Sequence, residues 1–148
     1  MRKKIYYLAG PMTGIPRFNF PAFIEAAAAL RDSGYEIVSP AEMDQDEDNT
    51  AGLAFESTDG DLENAGIKKT WGDLLARDVK LITDEIEGIV FLSGWEKSKG
   101  ARLEAFVGTL TGKNFGRYVP ETADIERMSP QIVLAKLMRS TSEELSNG

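Results

Sequence analysis

Two apolar rhythms alternate along this chain. The runs KIYYLAG (4–10), YEIVSP (35–40), EGIVFLSGW (87–95) and FGRYVP (115–120) are short, and the first is followed by Gly-Pro. Apolar runs of this length between turn residues predict buried strands. Between them the period lengthens to that of a helix. FPAFIEAAAALRDSG sets Phe20, Phe23, Ala27 and Leu30 on one stripe and stops at Gly34, a helix C′ signal. TWGDLLARDVKLI repeats the spacing with Trp71, Leu74, Leu75, Val79 and Ile82; Thr70 can cap it and Asp73 suits its first turn. SKGARLEAFVGTLTGK predicts a helix that turns Leu103, Phe106, Val107 and Leu110 toward a core. SPQIVLAKLMRS predicts a last helix, with Ser129 as cap and Pro130 at its first position, and TSEELSNG a frayed tail.

Strands that alternate with helices in this way predict βαβ units. The expected architecture is an α/β domain whose parallel sheet, of four or five strands, is covered on both faces. Ligands of such sheets bind beyond the C-terminal ends of the strands, at the switch point. The loops after YYLAG and VFLSGW are therefore expected to lie side by side and line a pocket.

Composition narrows the chemistry. With 148 residues and 42% apolar content, the chain is expected to form one domain over 1–148. It has no apolar run long enough to span a membrane, and the basic N-terminus MRKK precedes too short a run to serve as a signal peptide. Cysteine is absent, which excludes disulfides and thiolate chemistry and makes the cytoplasm the expected location. Histidine is absent too, so acid–base work near neutral pH falls to a perturbed carboxylate, Tyr or Lys, and a zinc site is not expected. Nine acids and no Lys or Arg occupy residues 42–63, which leaves fifteen acids against seventeen bases elsewhere. No basic stripe suited to nucleic acid is present. The spacing from Asp44 imitates a calcium loop, but Asn49 and Phe55 stand where that loop needs Gly and Glu. An acidic, solvated, flexible insertion over about 42–68 is the better account, and it lies where lids grow over active sites.

Glu104 is the sharpest single feature. Its helical neighbours Gly100, Ala101, Ala105 and Gly108 have almost no side chains, and each interior glycine costs a helix about 1 kcal/mol. A ligand groove with the carboxylate at its centre is the economical reading. Ser98 can cap this helix, and its first free N–H groups can attract an anion. Tyr7 stands late in the first strand, and Asp78 interrupts an apolar helix face. The loop GPMTG is neither a Walker A nor a dinucleotide-binding sequence, which disfavours triphosphate hydrolysis.

The stretches IYYLAGPMTG, FPAFIEAAAALRDSGYEIVSPAE, TWGDLLARDVKLI and GIVFLSGWEKSKGARLEA together resemble the nucleoside 2-deoxyribosyltransferase superfamily, most closely its small members common in bacteriophage genomes. The resemblance implies a flavodoxin-like, Rossmann-like three-layer sandwich. It also implies cleavage of the N-glycosidic bond of 2′-deoxynucleosides or their 5′-monophosphates, with no cofactor and no metal. Glu104 falls on the nucleophile position and Tyr7 on the tyrosine that orients it. Asp78 falls on an acid that contacts the sugar or assists the leaving base. Ser98 and Gly100 fall on the element that receives a 5′-phosphate, with Gly10, Met12, Arg17 and Trp95 as further pocket residues. Arg17, Lys97, Lys99 and Arg102 are candidates for charge assistance. A homodimer or larger homo-oligomer is expected from the same resemblance. The S-x-G start favours a monophosphate N-glycosidase. A base-exchanging transferase and a nucleotide-binding protein without turnover are its rivals.

Overall fold

A computed structural model of the protein describes residues 4–43 and 48–147. Residues 44–47, where the calcium-like spacing begins, lie outside the described residues, as do 1–3 of the N-terminal basic run and Gly148 of the expected tail. Five strands are formed: β1 (Ile5–Ala9), β2 (Glu36–Val38), β3 (Gly88–Phe91), β4 (Asn114–Val119) and β5 (Asp124–Met128). They make one sheet in the order β2-β1-β3-β4-β5. The first four strands pair in parallel and β5 is antiparallel to β4. The helices are α1 (Phe20–Asp32), α2 (Thr50–Glu56), α3 (Trp71–Glu85), α4 (Lys99–Leu110) and α5 (Pro130–Asn147).

The sheet is covered on both faces, and the strand alternation decides which residue meets which layer. Leu8, Val90 and Leu92 point into a core shared with α1 and with Ala54 of α2. Tyr7, Ala9, Ile89 and Phe91 point the other way, into a core shared with Ile82 of α3, Ala101 and Ala105 of α4, and Val133 and Leu137 of α5. Three sequence expectations at helix ends hold. Thr70 and Asp73 form a reciprocal capping box on α3, the Ser98 hydroxyl accepts from the Ala101 N–H, and Gly34 is left-handed after α1.

Four expectations change. The sheet gains a charged antiparallel edge strand, β5, from a segment whose acids and arginine hide its alternation. The expected tail is instead the end of α5, which runs to Asn147. Helix α4 is turned part of the way round from the expected face: Leu103 and Leu110 are exposed, Phe106 and Val107 pack against the core as expected, and Ala101, Glu104, Ala105 and Gly108 face inward. The reason is distance, because a Cβ on Gly108 would stand 2.7 Å from Ile89 Cδ1 and 3.0 Å from Phe115 Cε1. The helix lies so close to the sheet that only its small face fits beneath it. Finally, the acidic insertion is built rather than solvated throughout: Thr50, Ala54, Ser57 and Ile67 are buried. Among the described residues no helix is long and apolar enough to cross a membrane.

Candidate active site

Strand alternation sends Tyr7 toward the layer of α3 and α4, where the small-residue face of α4 presents Glu104. The Tyr7 hydroxyl donates to Glu104 Oε2 at 2.6 Å, and both side chains are buried. From α3, Asp78 reaches the same point with 7% of its surface exposed. Three elements distant in sequence thus bring two carboxyls and a phenol together out of water.

The electrostatics follow from that burial. Glu104 is held protonated well above the ordinary glutamate value of 4.5, first by loss of water and next by the charge of Asp78; the Tyr7 hydrogen bond opposes both. Asp78 is also raised by burial, against the pull of Arg77. Tyr7 is pushed up by burial and by the two carboxyl charges, so it stays a hydrogen-bond donor at neutral pH. Two close carboxyls in such a place share one proton. The hydrogen bond between them raises Glu104 and lowers Asp78.

The trio lies at the wall of a cavity of about 1030 Å³. The loops after β1 and β3 meet there as the switch-point rule predicts: the Leu92 N–H donates to Ala9 O at 2.8 Å, and Gly94 lies against Pro11. Gly10 is required by this contact, since a Cβ would stand 2.9 Å from Leu92 Cβ. Gly10, Met12, Ser98 and Gly100 all line the cavity, beside Tyr7, Asp78 and Glu104. At Gly100 a Cβ would meet only Leu75 Cδ2, at 3.7 Å. Its missing side chain therefore leaves room in the cavity, whereas that of Gly108 serves packing.

Two expected residues sit elsewhere. Trp95 is buried in the core, its ring stacked on Phe91 at 4.0 Å, and does not line the cavity. Arg17 also lies off the cavity wall, with its guanidinium 5.2 Å from the ring centre of Phe55. The other cations divide. Arg102 pairs with Glu144 of α5, as does Lys99 at 3.5 Å, although Lys99 still borders the cavity. Lys97 borders the cavity with no carboxylate partner among the described residues.

The rest of the cavity wall carried no readable code in the sequence. Phe18 and Phe20, Leu62 and Ile67, and Trp71 and Leu74 supply an apolar, aromatic lining. Two backbone hydrogen bonds fasten the loop after β1 to the insertion: Gly14 N–H to Gly60 O at 2.9 Å and Arg17 N–H to Ser57 O at 2.7 Å. Arg17, Phe18 and Asn19 are held left-handed in succession, a strain that each non-glycine residue carries at a cost of about 1–2 kcal/mol. The insertion thus closes one side of the cavity. Its Ala54, Leu62 and Ile67, set among acids, were the available signal for this.

An open, mostly parallel sheet with a cleft at its switch point and a buried carboxyl pair within it makes this an α/β domain with a candidate ligand site. The family model of a domain of unknown function, DUF4406, matches residues 4–115, and the chain belongs to that family. No curated protein matches the chain. The matched span includes every residue of the trio and ends within β4. No group of three or more His, Cys, Asp or Glu side chains able to hold a metal ion occurs among the described residues.

Proposed function

We propose that this protein is an N-glycosidase of 2′-deoxynucleoside 5′-monophosphates, as its resemblance to the nucleoside 2-deoxyribosyltransferase superfamily implies. The observation that carries the reading is the buried Glu104 carboxyl, fixed by Tyr7 at 2.6 Å and open to a cavity beside the start of α4. Cleavage of a C1′–N bond builds positive charge on the sugar, which a carboxylate beneath the ring stabilises and can trap.

The shared proton gives the pair two roles. On binding, it passes from Glu104 to Asp78 along their hydrogen bond. The freed Glu104 carboxylate bonds to C1′ as the C1′–N bond breaks, and the base leaves with that electron pair and takes the proton from Asp78. Water then attacks C1′, its proton goes to Asp78, and Glu104 departs as carboxylate. The products are free base and 2-deoxyribose 5-phosphate, and the proton returns to Glu104. Lys97 and the leading N–H groups of α4 suit the phosphate. The aromatic wall of Phe20 and Trp71 suits a planar base.

The test is to incubate the protein with each deoxynucleoside and each 5′-monophosphate, with and without a second free base, and to resolve the products. Free base from monophosphates is the expected result. Base exchange assigns a transferase instead, and tight binding without products assigns a binding protein.

A further inference from the structure

Arg77 stands next to Asp78 on α3, and adjacent helical residues point about 100° apart. A surface ion pair on this helix uses the i,i+4 spacing, as Lys80 and Asp84 do at 2.8 Å. Arg77 instead folds back along the cavity wall and lays two donors on its neighbour. Nε reaches Asp78 Oδ1 at 3.0 Å and Nη2 reaches the same oxygen at 2.8 Å. Both donors converge on Oδ1, which leaves Oδ2 without an arginine contact. The side chains of Arg77 and Asp78 are only 26% and 11% exposed, so water screens this contact little.

We propose that Arg77 is a positioning residue of this site: it clamps one oxygen of Asp78, turns the other toward Glu104, and decides which carboxyl carries their shared proton. The groups that face the pair are Tyr7 from β1, Arg77 from α3 itself, and each carboxyl toward the other. Among the described residues that act on the pair Arg77 is the cation, and it acts to lower the proton affinity of both carboxyls. It makes Asp78 the better proton donor to a leaving base and keeps the pair singly charged to lower pH. A counter-charge alone could be supplied by lysine. The converging fork could not.

The inference deepens the glycosidase reading and rests on it for its kinetic arm alone. The experiment compares the parent with Arg77→Gln and Arg77→Lys in two ways. One is the pH profile of monophosphate hydrolysis; the other is the titration of the Asp78 side-chain carbon by ¹³C NMR, which needs no turnover. In R77Q the Asp78 titration is expected to move up by about one pH unit or more, with the acid limb of the profile moving the same way. Its kcat is expected to fall about tenfold, less than the roughly hundredfold or more that loss of the general acid itself costs, with KM within about threefold. R77K is expected to recover less than half of either shift. Titration and acid limb unchanged in R77Q overturn the proposal, and so does full rescue by R77K. If the parent hydrolyses nothing, the glycosidase reading fails while the NMR titration still judges Arg77.

Discussion

Gly100 and Gly108 stand two turns apart on α4 and are small for different reasons. Behind Gly108, Ile89 and Phe115 of the sheet fill the place a side chain would take. Before Gly100 there is only the cavity, with Leu75 at ordinary contact distance. Glu104 lies midway, buried like the one and open to the cavity like the other. One end of the helix is set by packing and the other by what the cavity must admit. A stripe of small residues is thus not one signal but two.

The sharpest way to break this comparison is at its midpoint. Glu104→Gln is expected to lower kcat for monophosphate hydrolysis by on the order of 10⁴-fold or more, as loss of a covalent nucleophile does. The same variant should be more stable than the parent at neutral pH. Because burial raises Glu104 in the folded state, the carboxyl's contribution is complete below about 4.5 and is lost as pH rises through its folded value. Glutamine titrates nowhere. The gap in Tm should therefore widen in favour of the variant from about pH 4 to pH 8, as thermal melts across that range would show. Parallel melting curves for the two proteins would mean that Glu104 is not buried as described.

Tyr7→Phe comes next. It removes the one hydrogen bond that holds the Glu104 proton affinity down. Its kcat should fall about tenfold to hundredfold, since Glu104 then yields the shared proton less readily, and its acid limb should move to higher pH, since the doubly protonated, inactive pair persists further. A profile whose acid limb does not move would separate the tyrosine from the nucleophile.

The glycines themselves give a crossed test of smaller size. Gly108→Leu should cost about 1–3 kcal/mol in chemical denaturation, as overpacking against Ile89 and Phe115 does. Gly100→Leu should unfold within about 0.5 kcal/mol of the parent or later, because leucine favours the helix more than glycine, yet it should lose activity. Equal losses of stability at both positions would abolish the distinction. The smallest effect is expected from Lys97→Met, which should reduce the preference for a monophosphate over its nucleoside about tenfold in kcat/KM. Lys99→Met should change that preference less, since Glu144 already engages Lys99.

Much of this was legible in residue order. The alternation of short and long apolar periods predicted four of the strands, and Thr70, Asp73, Ser98 and Gly34 marked helix ends as observed. Glu104 stood out by its small helical neighbours and Asp78 by interrupting an apolar face, while Tyr7, late in the first strand, took its expected role from the family resemblance. Arg77 did not stand out: an arginine beside an aspartate in an amphipathic helix reads as solvated surface. Trp95 was expected at the pocket from the family resemblance, but the turn that follows β3 buries it against Phe91.

By itself, then, the order of residues determined the α/β alternation, the helix ends and a short roster of polar groups placed against the local pattern. Those depend on near neighbours and on the periods of strand and helix, which a chain carries in its own spelling. Which face of α4 turns inward, which oxygen Arg77 holds and which wall the insertion builds were decided only by tertiary structure. Each depends on how near two elements distant in sequence can come, a matter of packed volume that no local pattern encodes.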